Sequence, residues 1–499
     1  MTRRHLAAAC LLLQAGLISA AQAAAPASGL VTTAAALAQL PEARLPVAEV
    51  RSRVTALKQE PLRFAVPAAL NLDQRNGSWD TASPGVARWR LRVTSEKASS
   101  LSLLLTQLTL PTGAELWFYD SAGRDVQGPF TRDSAGLHDG ELLLPLVRGG
   151  SAVLEVTLPA EKTGELAFRI PRASHGYRDI TEGDAKTGPA GSESGSCNID
   201  VVCTEGNNWR DQIRSTVLLT IDGQSFCTGS LVNNTRQDDR PLVLTANHCN
   251  IRSTNIDRIT AYFNVQSSSC GGNQSGRLDQ NIAASTFLAR DENSDFTLFT
   301  LANPPLAAFN AFYAGWDARI GVAPQSGVTL HHPAGDEKKI AVYSTPGVAA
   351  EDVAFRDERG NVLFTVDAWR ITYSRGTTEQ GSSGSGLWNQ NKQLVGVLSG
   401  GEASCASQTS PDFYGRMDRG WQANSASSGQ LKAHLDPINT GCLQLNSKNP
   451  GTASPIAACA PTGGGGGTPS ENGSGSTSLT ALLVLLMGVA ARRRRSASA

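Results

Sequence analysis

Three short stretches of the chain hold residues able to do nucleophilic chemistry together. His248 closes the run Leu244-Thr-Ala-Asn-His248, directly after apolar residues and beside Cys249. Asp295 stands at the head of Phe296-Thr-Leu-Phe-Thr-Leu301, whose alternation predicts a strand that would bury a carboxylate at its start. Such a carboxylate can accept the imidazole N–H, fix its tautomer and stabilise the imidazolium. Asp279 and Asp291 are rivals for that role, but neither begins so clear a strand. Ser383 lies in Gly381-Ser-Ser-Gly-Ser385, where small residues permit a tight turn. The Gly381 and Ser383 N–H groups could then face one oxyanion while the Ser383 hydroxyl faces a base. Taken alone this stretch reads as a flexible Gly/Ser loop. Trp369-Arg-Ile371 and Leu387-Trp388 close on it from both sides, which a solvated linker rarely allows. The chain order is histidine, aspartate, serine, and the Gly-x-Ser-x-Gly elbow of an α/β-hydrolase is absent because Ser385 fills its last position.

Elements must bring these stretches together, and a chain of 499 residues predicts two folded units plus processing segments. Lys+Arg and Asp+Glu are both 44, a formal net charge of +0, so bulk electrostatics suggests neither a nucleic-acid nor a membrane-surface partner. Arg3 and Arg4 precede an apolar run from Leu6 to Ala21, and Ala21-Gln-Ala23 offers a signal-peptidase pattern; residues 1–23 read as a signal peptide of an exported protein. Of the 9 cysteines, Cys10 leaves with that signal. The remaining even set, in an oxidising space and without zinc-ligand spacing, reads as disulfides. No metal or other cofactor is expected. His331 and His332 are adjacent but lack further ligands nearby in sequence, so packing is the expected role.

Short apolar runs from about residue 88 to 166, separated by turns such as Pro111-Thr-Gly113 and Asp120-Ser-Ala-Gly123, predict a β-sandwich spanning about 60–172. A polar stretch to about Ser196 is a linker. From Cys197 to about Pro437 β-type runs resume, fitting a barrel pair or large sandwich, so the fold class is all-β. Helix signals are few, the clearest being the segment around Leu431 to Leu435. Residues 446–478 include the run Gly463 to Gly467, and 479–499 hold an apolar stretch to Ala491 followed by Arg492-Arg-Arg-Arg495. That stretch is short of the roughly 17 to 25 residues that span a bilayer.

The segment from about 194 to 438 resembles the bacterial lysyl endopeptidases, a chymotrypsin-like serine protease family. The resemblance rests on Ser194-Gly-Ser-Cys-Asn-Ile-Asp-Val-Val-Cys203, Cys227-Thr-Gly-Ser-Leu-Val-Asn-Asn234, the stretches holding His248, Asp295 and Ser383, Ala314-Gly-Trp-Asp317 and His331-His-Pro333. It implies a double β-barrel over 191–445 with a triad of His248, Asp295 and Ser383 in the cleft. It also implies bridges Cys197 to Cys405, Cys203 to Cys270 and Cys227 to Cys249, which leaves Cys442 and Cys459 for each other. Asp412 would floor the pocket for a basic residue before the scissile bond, with Ser399 and Gly400 on the adjoining substrate-binding edge. Members strictest for lysine carry histidine where Ser399 stands and tryptophan near Phe355, and proline usually follows the nucleophile motif where Gly386 stands; Lys is favoured here, with Arg the other candidate. Residues 24–190 then look like a propeptide, the mature enzyme a monomer acting on proteins or peptides. Ser382 replaces the aspartate that a new N-terminus would engage on activation, and Lys186 before Thr187 is a candidate self-cleavage point. The C-terminus resembles a GlyGly-type sorting signal of Gram-negative bacteria, implying a rhomboid-like protease as a processing partner beside signal peptidase. The competing expectation is a non-catalytic secreted or surface adhesion protein on a protease-like fold.

Overall fold

The computed structural model describes residue 26 and residues 29–46, 58–134, 136–178, 194–272 and 276–453. The signal sequence, Lys186, Cys459 and the glycine-rich and arginine-rich C-terminal segments lie outside the described residues.

Strand Glu42–Arg44 and the strands from Ala65–Asp73 to Ala167–Gly176 form a β-sandwich. One sheet runs Glu42–Arg44, Val86–Thr94, Ser151–Pro159, Glu115–Asp120, Val126–Phe130, with Ser78–Ser83 on the second strand. The other is built on Ser100–Thr109 and Ala167–Gly176, with Ala65–Asp73 at its edge. Alternation on each strand supplies the core: Trp89, Leu91 and Val93 from one sheet meet Leu101, Leu103, Leu105 and Phe168 from the other. Trp89 and Phe168 pack edge to face with centroids 5.1 Å apart. Strand Glu42–Arg44 pairs in parallel with Arg92, Val93 and Thr94, so the sandwich draws on chain well before residue 60.

After residue 194 come two further sheets. The first closes as a six-stranded barrel of Thr216–Ile221, Ile259–Tyr262, Asn281–Asp291, Phe296–Leu301, Leu242–Ala246 and Ser225–Val232, the last pairing back to the first. Every residue of Thr216–Ile221, Leu242–Ala246 and Phe296–Leu301 is buried, because one face fills the barrel and the other is covered by neighbouring structure. The second sheet contains Lys339–Tyr343, Gly327–His331, Gly386–Asn389, Leu394–Gly401, Asp412–Arg416, Val362–Ile371 and Val348–Arg356 in spatial order. A bridge from Val342 to Arg375 brings its ends round toward each other. The fold is all-β and of the chymotrypsin-like double-barrel kind, preceded by a sandwich. Disulfides join Cys197 to Cys405, Cys203 to Cys270 and Cys227 to Cys249. The helix near 431–435 is a single turn, Lys432–Leu435.

Candidate active site

Antiparallel register places two of the three expected groups at one sheet end. Ala246 pairs with Phe296, so the turn just beyond the first residue and the residue just before the second must meet. That turn is the 3-10 segment Asn247–Cys249, closed by Asn250 in the left-handed region. Asp295 is itself left-handed, with φ 48°. This uncommon conformation for a residue with a side chain turns its carboxylate back across the histidine. Asp295 Oδ1 accepts from the His248 backbone N–H at 2.9 Å, and Oδ2 lies 2.8 Å from His248 Nδ1. A carboxylate there holds the proton on Nδ1 and leaves Nε2 as a base. His248 is 7% exposed and Asp295 0%. The rivals are occupied elsewhere: Asp291 accepts from Ser294, and Asp279 pairs with Arg277.

The Ser383 loop is tied to the same strands. Its carbonyl accepts from the Thr228 N–H at 2.8 Å, and the Thr228 hydroxyl donates to the Gly381 carbonyl at 3.0 Å. Thr228 follows Cys227, whose disulfide partner Cys249 follows His248. One disulfide therefore ties the turn holding His248 to the strand to which the Ser383 loop is hydrogen-bonded. Gly381 and Gly384 have φ 95° and 79°. A Cβ at Gly384 would lie 2.1 Å from Thr245 Oγ1 and 2.5 Å from the Thr228 carbonyl, so the loop presses on the barrel where only hydrogen fits. Ser382 Oγ lies 2.8 Å from His331 Nδ1 and accepts from the Glu379 N–H at 3.2 Å. Burial holds His331 far below the ordinary histidine range and His332, 3.0 Å from the Asp336 carbonyl through Nδ1, down to about 3. Both are neutral hydrogen-bonding struts under the loop.

Asp412 begins the strand Asp412–Arg416 and is wholly buried. Its carboxylate accepts from the Thr378 hydroxyl at 2.5 Å, the Tyr373 hydroxyl at 3.1 Å and the Ala403 N–H at 3.2 Å. Burial, together with Tyr414 and Asp412, raises the Tyr373 phenol far above its usual range, so it serves only as a neutral donor. Gly401 is compulsory beside this group: a Cβ there would lie 2.3 Å from Asp412 Oδ1. A Cβ at Gly400 would lie 2.8 Å from the Phe355 ring. Ser399 is wholly buried at the same edge.

Sequence reasoning missed several groups. Phe364 stacks on the His248 imidazole, centroids 5.4 Å apart and planes 9° apart, and is itself backed by Phe355 at 4.9 Å. Lys58, from the N-terminal part, reaches the Asp412 slot: its Nζ is 2.9 Å from Oδ1, 3.2 Å from Oδ2 and 3.0 Å from Thr378 Oγ1. The alternation of Val362-Leu-Phe-Thr-Val366 could have flagged Phe364 as facing something. Nothing local to Lys58 marks it.

The description "Lysyl endopeptidase N-terminal domain" matches residues 36–177, and "Lysyl endopeptidase, C-terminal domain" matches residues 191–415, together well over half the chain. A lysyl endopeptidase of Pseudomonas aeruginosa is 30% identical over 283 residues, which are 53% of this chain and 58% of that protein. The chain thus spans somewhat over half the length of this curated relative. Among solved structures, the Rv3671c protease from M. tuberculosis in its active form is 19% identical, with a TM-score of 0.29 over 42% of this chain and 78% of that one. Its inactive form gives 18% identity and a TM-score of 0.27 over 41% and 84%. With both domain descriptions in chain order and a lysyl endopeptidase among its relatives, the chain belongs to the lysyl endopeptidase family.

Proposed function

We propose that the chain is the precursor of a secreted serine endopeptidase that cleaves after basic residues, lysine above all. The observation that carries this reading is the buried His248–Asp295 pair beside the Ser383 loop. In the mechanism, His248 Nε2 takes the Ser383 proton as Oγ attacks the peptide carbonyl carbon, while Asp295 holds the Nδ1 proton in place. The Gly381 and Ser383 N–H groups receive the oxyanion, each contributing about 3 to 4 kcal/mol to the barrier. His248 then protonates the departing amine, and water repeats the sequence on the acyl-enzyme. Specificity follows from Asp412: a wholly buried carboxylate with three neutral donors still carries a charge that a substrate ammonium can meet. Residues 24–190 act as a propeptide and keep the product a zymogen until they leave. Among the described residues no helix is long and apolar enough to cross a membrane.

The test uses the form from which residues up to about 190 have been cut and then separated. An organophosphonate should label Ser383, with labelling lost in Ser383→Ala, and a peptide library should be cut after Lys and Arg. Absence of any adduct would favour a non-catalytic adhesion protein; cleavage without a basic residue before the bond would remove the role of Asp412.

A further inference from the structure

Among the described residues, Lys58 is the one from the N-terminal part that is hydrogen-bonded to both Asp412 and Ser383. Its side chain is 7% exposed, inside the slot floored by Asp412. Its carbonyl oxygen accepts from Ser383 Oγ at 2.7 Å. The hydroxyl proton therefore points at the oxygen of the would-be scissile group, while His248 Nε2 is buried without a hydrogen-bond partner among the described residues. Attack needs the reverse: the proton on a line to Nε2 and the Oγ lone pair facing the carbonyl carbon. The slot is filled by a lysine whose peptide bond is not poised for cleavage.

The chain beyond Lys58 explains why it stays. Residues 58–60 form a turn. Gln59 Nε2 donates to the Arg356 carbonyl at 2.7 Å, and Gln380 Nε2 donates to the Glu60 carbonyl at 3.3 Å. Strand Leu62–Arg63 then adds to the barrel edge at Ser225 and Phe226, and Phe64 stacks on Phe226 at 3.9 Å. A segment anchored this close presents its lysine at an effective concentration on the order of millimolar, so dilute free substrate loses the competition.

We propose that Lys58 is a tethered pseudosubstrate: it fills the lysine pocket of its own chain and holds the Ser383 hydroxyl away from His248, and the protease opens when this segment leaves. This rests on the reading of Asp412 as a cation pocket. The test titrates the full-length chain carrying Ser383→Ala, which cannot cut itself, with p-aminobenzamidine, an aromatic cation whose fluorescence rises when it enters a carboxylate-floored slot. Lys58→Ala and Lys58→Met are added to that background; the second keeps the apolar stem and drops the charge. Each should bind the probe at least about tenfold more tightly than the parent, and Asp412→Asn should abolish the gain. Binding of equal strength with and without Lys58, still dependent on Asp412, overturns the proposal. No Asp412-dependent binding in any variant overturns the pocket reading beneath it instead.

Discussion

A carboxylate without exposed surface leaves few choices for what neutralises it. Around Asp412 every donor in place is neutral except the Lys58 ammonium, so a ligand that lacks a cation leaves a buried charge unmet. Asp412→Asn should therefore lower kcat/KM on lysyl peptides by about 10²- to 10⁴-fold, the equivalent of removing one member of a buried pair. The loss should be far smaller on peptides with an apolar residue before the bond, and equal losses on both would sink the specificity role. Asp295→Asn acts on a different quantity. It should cut kcat by about 10⁴-fold through the wrong imidazole tautomer while the preference for lysine persists; a change in preference instead would mean that Asp295 shapes the pocket. The groups of the expected triad were readable because each sits in a contiguous run with a β-type flank and the three come in a recognisable order. Lys58 was not, since it lies 354 positions from Asp412 and its meaning exists only once the chain has folded.

At the scale of elements, the Ser383 loop and the loop before strand Lys339–Tyr343 each carry a local cost. Gly384→Ala would force a Cβ against Thr245, the Thr228 carbonyl and the Ala246 N–H at φ 79°. The strand or the loop must move, so the variant should lose activity along with about 2 to 3 kcal/mol of stability, read from denaturant unfolding. Retained activity with unchanged stability would show that the loop has slack. In Asp336-Glu337-Lys338-Lys339, burial first and the adjacent Asp336 second push the Glu337 carboxyl up to about 8. A raised acid gives stability that is complete below its unfolded value near 4.5 and fades as pH rises through about 8. Glu337→Gln, in the Ser383→Ala chain, should then match its parent near pH 5 and melt at a higher temperature near pH 9. A gap that opens toward acid would reverse the sign and refute the burial argument. Sequence pattern reads such strands well where both faces are buried, as in Phe296–Leu301. It reads poorly the hairpin of Val348–Arg356 and Val362–Ile371, whose largely exposed first strand lacks clean alternation. Phe364, which covers His248, sits on that hairpin.

Across the described residues the order of sandwich and then barrels was legible from composition and spacing, but the seam between sandwich and barrel was not. Both halves contribute to one apolar cluster: Leu62, Phe64, Ala65 and Leu146 from one side, with Leu218, Phe226, Tyr262, Val265 and Leu278 from the other. Such residues read as ordinary core of their own domain, because burial against a distant segment leaves the same local signature as burial within. The polar contacts divide by depth. The Tyr262 hydroxyl oxygen accepts from the Leu146 N–H at 2.8 Å, and Gln127 Nε2 donates to the Leu278 carbonyl at 3.2 Å, both buried. Arg258–Glu141 and Arg172–Asp222 lie partly exposed at the rim. Rim pairs are screened by salt and weigh little, whereas the apolar seam does not depend on it. When the chain is cut within 179–193, the N-terminal part should accordingly stay bound to the barrels and co-elute with them even in about 1 M salt. Phe64→Ala removes the ring stacked on Phe226 at the point where the Lys58 segment is anchored. It should weaken that association by about 2 to 4 kcal/mol, enough for the two parts to separate on a sizing column at micromolar concentration. Separation of the parent by salt alone, with Phe64→Ala no different from it, would move the binding energy from the seam to the rim.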